Sequence, residues 1–88
     1  MNDANMTSAG EALQSLLDVV PRAIVDVSDE VHIELVETGN TVVLELQVAR
    51  EDVGKVIGRG GAMAGALRTL LCNTASKYDK RAILEILE

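Results

Sequence analysis

Val56-Ile57-Gly58-Arg59-Gly60-Gly61 places a Gly-x-x-Gly loop between two segments of helical apolar spacing. Two glycines at fixed positions let the backbone adopt turns closed to other residues and pass close to a ligand. Arg59 puts a cation at the tip of that loop. Downstream, Met63, Leu67, Leu70, Leu71 and Ala75 predict one face of a helix from about Ala62 to Lys77, with Met63 to Ala75 as its apolar run. Gly65 lies inside it and costs about 1 kcal/mol relative to alanine unless it permits a close approach. Upstream, Arg50-Glu51-Asp52 opens a short helix ending near Ile57, where acids in the first turn complement the helix dipole.

Further from the loop, two alternating runs predict strands. Val31-His32-Ile33-Glu34-Leu35 alternates apolar and polar, and Val42, Leu44, Leu46 and Val48 alternate again after Gly39-Asn40. Gly-Asn between two such runs signals a tight hairpin. Ahead of the hairpin, Leu13, Leu16, Leu17, Val20 and Ile24 form a helical stripe, and Ser8 with Glu11 has capping-box spacing. Pro21 removes a hydrogen bond from that helix and predicts a kink or a split. Arg81 to Leu87, almost continuously apolar, predicts a closing strand. The order is α-β-β-α-α-β, an α+β domain over residues 9–88, with residues 1–8 expected to fray.

Composition narrows the function classes. Eighty-eight residues suffice for one small core. Tyr78 is the only aromatic residue, which argues against recognition of bases by an aromatic sheet or barrel surface. The net charge is −6 but is unevenly placed: residues 1–49 hold nine acids and one base, and residues 50–88 hold five acids and seven bases. The basic half therefore carries the glycine loop, leaving an acidic half that repels polyanions. A single cysteine, Cys72, excludes an internal disulfide and a multi-thiolate metal site, and its place on a helix predicts a small buried or half-buried residue. No secretory signal or membrane-length apolar run is present, so a cytoplasmic protein is expected.

Other chemistries find little support. His32 stands alone on a strand, without a nucleophile or second ligand at useful spacing. Asp26, Asp29 and Glu30 lack the spacing and glycine of a calcium loop and read as a solvated turn. Gly61-Ala62-Met63 fails the Gly-Lys-Ser/Thr that a P-loop requires. Met63 occupies the position where a dinucleotide fingerprint needs its last glycine. No cofactor, metal or catalytic residue is expected.

The order of elements, with Gly-x-x-Gly joining the fourth to the fifth, resembles the type II KH fold, and most closely the small single-domain bacterial KhpA (YlqC-like) family. The resemblance rests on Val48 to Gly58 (Val-Ala-Arg-Glu-Asp-Val-Gly-Lys-Val-Ile-Gly), Gly61, Ala66-Leu67-Arg68-Thr69-Leu70, Lys80-Arg81 and the hairpin segment Val42 to Leu46. It implies a three-stranded sheet with helices on one face. It also implies a non-catalytic protein that holds about four nucleotides of single-stranded or structured RNA at the loop and acts as an RNA chaperone or regulator. The implied RNA contacts are Gly58, Arg59, Gly60 and Gly61, with Lys55, Val56, Ile57 and Arg68 nearby. The groove is expected between the helix-loop-helix and the edge of the hairpin. Val56 and Ile57 can equally be core residues.

Where family members commonly have Gly-Lys-Gln-Gly, this chain has Gly-Arg-Gly-Gly, and Ala62 and Gly65 stand where bases are common. A homodimer and a larger KH-containing partner of the KhpB or Jag type are implied as well. A second reading stays open: a KH scaffold used for protein interaction or dimerisation, with RNA contact weak or lost.

Overall fold

The computed structural model describes residues 8–88. Helix α1 (Ser8–Ile24) leads through a 3₁₀ turn (Ser28–Glu30) to strands β1 (His32–Thr38) and β2 (Thr41–Gln47). A second 3₁₀ turn (Arg50–Asp52) enters helix α2 (Val53–Ile57). The loop follows, then helix α3 (Ala62–Lys77) and strand β3 (Arg81–Ile86). The order is the expected α-β-β-α-α-β. The expected fraying of the chain's start lies, over residues 1–7, outside the described residues, and α1 has already begun at Ser8.

The sheet order is β1-β2-β3, with β1 antiparallel and β3 parallel to the central β2. Thr38 pairs with Thr41 across the hairpin, and positive φ is confined to Gly39, the demand of a II′ turn. Alternation of side chains buries one face. Val42, Leu44, Leu46 and Leu84 are core residues there, with Ile33, Leu35, Ala82 and Ile86 packed beside them. Leu13 and Leu17 of α1, Val56 of α2, and Leu67, Leu71 and Ala75 of α3 close the core from the helical side. All three helices therefore lie on one face, leaving the other sheet face to solvent.

Three sequence expectations change at this level. Pro21 neither splits α1 nor ends it: it is buried within the helix's last turn, where Val25 N–H still bonds its carbonyl at 3.0 Å. So close to the C-terminus, a missing N–H costs one bond and breaks no downstream ladder. In α3 the buried stripe is Ala64, Leu67, Leu71 and Ala75, while Leu70 is 46% exposed and Met63 only half-buried. Cys72 is exposed rather than buried, because it sits on the flank of α3 beside the outer edge of β3.

Candidate nucleic-acid interface

Three glycines make the loop. Gly58, Gly60 and Gly61 have φ of +79°, +62° and +80°, values that L side chains seldom adopt. Gly58 is required for a second reason. A Cβ there would lie 2.7 Å from both the Cβ and the backbone nitrogen of Met63, so only glycine lets α2 and α3 meet at this separation. Gly60 and Gly61 face open space. The chain reverses through Gly61 N–H to Gly58 C=O, 3.1 Å, and Gly61 then caps α3 in the left-handed conformation. The positive end of a 16-residue helix dipole therefore points to the loop. Arg59 is exposed at the tip, with no hydrogen-bond or ion-pair partner among the described residues.

The other expected contacts divide. Val56 is fully buried in the core, so its packing role holds and it is not open to a ligand. Ile57, half-buried at the end of α2, keeps an accessible surface beside Gly58. Lys55 is claimed by acids: its Nζ lies 2.8 Å from Asp26 Oδ2 and 3.5 Å from Asp52 Oδ1. That pairing, led by the bond to Asp26, raises its pKa above 10.5. Arg68 reaches away from the loop, and its Nη2 donates to the Leu84 carbonyl at 3.3 Å.

Asp52 has a different role from the dipole partner inferred above. It is fully buried, and its two carboxylate oxygens accept the backbone N–H groups of Asp26 (3.1 Å) and Val27 (2.9 Å). The Val27 bond first, then those from Asp26 and Lys55, hold its pKa below 3.8 against the opposing effect of burial. This carboxylate ties the segment after α1 to the start of α2, and so to the helix that ends at the loop. The partners are 25 and 26 residues away in sequence, which is why periodicity gave no hint of it.

The groove wall also differs. β2 is flanked on both sides, so the sheet edge beside α3 is β3 and not the hairpin. Arg81 and Leu87 N–H groups point to the β2 side, which turns the peptide groups of residues 82, 84 and 86 outward. Arg68 covers the Leu84 carbonyl, and Cys72 Sγ lies 3.6 Å from that of Ala82. A cleft of about 400 Å³ opens at the far end of α2, lined by Val48, Arg50, Val53, Leu87 and Gln47 with Glu30 and Glu88. Arg50 has no partner there among the described residues. Sequence reasoning counted Arg50 only as a charge, because nothing local shows that the ends of β2 and β3 meet it.

The KhpA/KhpB KH-domain family model matches residues 12–86, an interval that runs from within α1 to the end of β3. This chain belongs to that family. Among its relatives is an RNA-binding protein KhpA of Borreliella burgdorferi, 44% identical over 73 residues, covering 83% of this chain and 89% of the relative. The KhpA of Clostridium acetobutylicum is 41% identical over 75 residues, 85% of this chain and all of the relative. That of Aquifex aeolicus is 43% identical over 77 residues, 88% and 98% respectively. No solved structure matches. As in the family's type II KH fold, the order is α-β-β-α-α-β with a mixed three-stranded sheet. Among the described residues no helix is long and apolar enough to cross a membrane, and no cluster of three metal-ligating side chains occurs.

Proposed function

We propose that this protein binds RNA without chemistry of its own, gripping about four nucleotides of single-stranded backbone at Gly58–Gly61 as a cytoplasmic RNA chaperone or regulator. The observation that carries this reading is Arg59: an unpaired cation at the tip of a loop of three positive-φ glycines, in front of the N-terminus of α3. Phosphates are the ligands that such a combination suits. The relatives' name, RNA-binding protein KhpA, points the same way. In this reading Ile57 offers an apolar surface to a base, and Arg50 continues the basic track along α2. Lys55 and Arg68 contribute charge but make no first contact, since each already has a protein partner.

The footprint is small, and one domain binds weakly. A second copy, or a larger KH-containing partner of the KhpB or Jag type, raises affinity through effective concentration.

The test is RNA binding by Arg59→Asp/Gly60→Asp at two salt concentrations, with circular dichroism as the folding control. Asp tolerates the left-handed region better than most residues, and a Cβ at Gly60 meets nothing within 4 Å. Loss of binding in a folded variant supports the loop as the site, whereas unchanged binding moves the site elsewhere. A wild type with no salt-dependent RNA binding leaves the interaction-module reading in its place.

A further inference from the structure

The two edges of the sheet are treated differently. At β3, Arg68 and Cys72 cover the carbonyls of Leu84 and Ala82. At β1, Arg22 Nη2 takes the Val31 carbonyl at 3.3 Å just before the strand begins. Beyond that point no described side chain bonds the backbone of Ile33 or Leu35. Even-numbered residues of β2 face β3, since Leu87 N–H donates to the Leu46 carbonyl, so odd-numbered ones bond β1. Their partners are His32, Glu34, Val36 and Thr38, which leaves the N–H and C=O groups of Ile33 and Leu35 aimed away from the sheet. β1 holds no Lys, no Pro and no bulge, three of the devices that blunt an edge.

The solvent face carries a second, independent pattern. Glu34, Glu45 and Glu85 stand in cross-strand register. Like charges directly opposite one another repel, and none of these side chains has a partner among the described residues. The next row is apolar, Val36, Val43 and Ile83, with Val36 56% exposed. At β1 both rows end on the open edge.

We infer that the β1 edge accepts a fourth strand from another protein, an extended segment with Lys or Arg opposite Glu34 and a β-branched residue opposite Val36. Main-chain bonds to Ile33 and Leu35 attach it, and alternate side chains select it. In an antiparallel ladder, the more stable kind, Glu34 falls in a non-hydrogen-bonded pair, where side chains approach most closely. A cation there gives the acid row a counter-charge. The segment's inward side chains cover what remains exposed of Ile33 and Leu35, both half-buried. RNA does not suit this edge, because its phosphates would meet the same glutamates. A second β1 has no Lys or Arg to offer, and neither have residues 1–7.

The inference does not rest on RNA binding, and neither does its test. The probe is the fluorescein-labelled peptide Thr-Lys-Val-Ile-Arg-Val-Gln, which runs antiparallel to His32–Thr38 with its Arg opposite Glu34. It should bind the full chain with a Kd on the order of 100 μM and protect the Ile33 and Leu35 amides from hydrogen exchange. N-methylation of its Ile, opposite Leu35, removes a main-chain donor at unchanged charge and should abolish binding. Glu34→Lys should weaken binding about tenfold, and a peptide with Glu in place of its Arg should recover the loss on that variant. Val19→Ser, on the exposed flank of α1, should change nothing. Binding that survives N-methylation, amides that stay unprotected, or a Glu34→Lys loss that the Glu peptide fails to recover overturns the edge site. So does the absence of binding by a protein of native circular dichroism. Amide protection that is present without peptide and rises with protein concentration gives the edge to a second copy and overturns it as well.

Discussion

Gly58, Gly60 and Gly61 share a motif but not a role. At Gly58 the obstacle is the backbone nitrogen of Met63, which cannot move without shifting α3. Gly58→Ala is therefore expected to cost roughly 2–4 kcal/mol, read by chemical denaturation. Gly65 is the contrast: it is exposed, lies inside α3, and a Cβ there meets nothing. Gly65→Ala should stabilise the protein by about 0.5–1 kcal/mol, so the close approach that would have justified this glycine is absent. Asp52 governs a pH response. Its folded pKa lies below 3.8, so its contribution is complete above that value and is lost as pH falls through the folded pKa. Asn at this position offers one acceptor to two N–H donors. Asp52→Asn should lower the melting temperature by roughly 5–10 °C at neutral pH, and the gap from wild type should narrow in acid. A gap constant from pH 6 to pH 2 would contradict the assignment. Lys55 acts in the opposite direction, contributing below pH 10.5 and losing its effect as pH rises through the raised folded value.

Between elements, the structure places its ties at both ends of the sheet. Lys80 Nζ donates to the Gly39 carbonyl at 3.2 Å and lies 3.6 Å from Glu37, while Arg81 N–H bonds the Asn40 carbonyl. Together they seat the start of β3 against the hairpin turn. At the open edge of β3, Arg68 and Cys72, one turn apart on α3, cover successive outward carbonyls. An edge treated in this way offers less to a passing strand. Because Cys72 remains exposed on that flank, it should react with a thiol reagent in the native protein at a rate within about tenfold of the unfolded chain. Protection by orders of magnitude would restore the buried position that its helix alone suggested.

Over the described residues charge is unevenly spread. Two unpaired cations, Arg59 and Arg50, lie at opposite ends of α2 on the helical side, and Glu34, Glu45 and Glu85 stand in cross-strand register on the open sheet face. A protein arranged in this way presents one end to a polyanion and repels it elsewhere. With about three phosphates neutralised, RNA affinity should fall roughly 20-fold between 50 and 200 mM salt. A much steeper loss in titrations at graded salt would require a larger basic surface than the one described.

The sequence by itself determined the elements and their order. Hydrophobic period and turn residues are local signals, and α3 ran from Ala62 to Lys77 as its spacing indicated. It also marked the loop, since glycines at these positions admit the positive-φ turns that other residues seldom adopt. What only tertiary structure decided was how each side chain is used. Val56 went to the core, Lys55 to Asp26 and Asp52, Arg68 to the β3 edge, and Arg50 became a candidate for the same track. Asp26 is 29 residues from Lys55 and Leu84 is 16 from Arg68, separations that local pattern does not encode. The pairing of the strands belongs to the same class: each strand shows its own alternation, but the register between strands exists only once they pair.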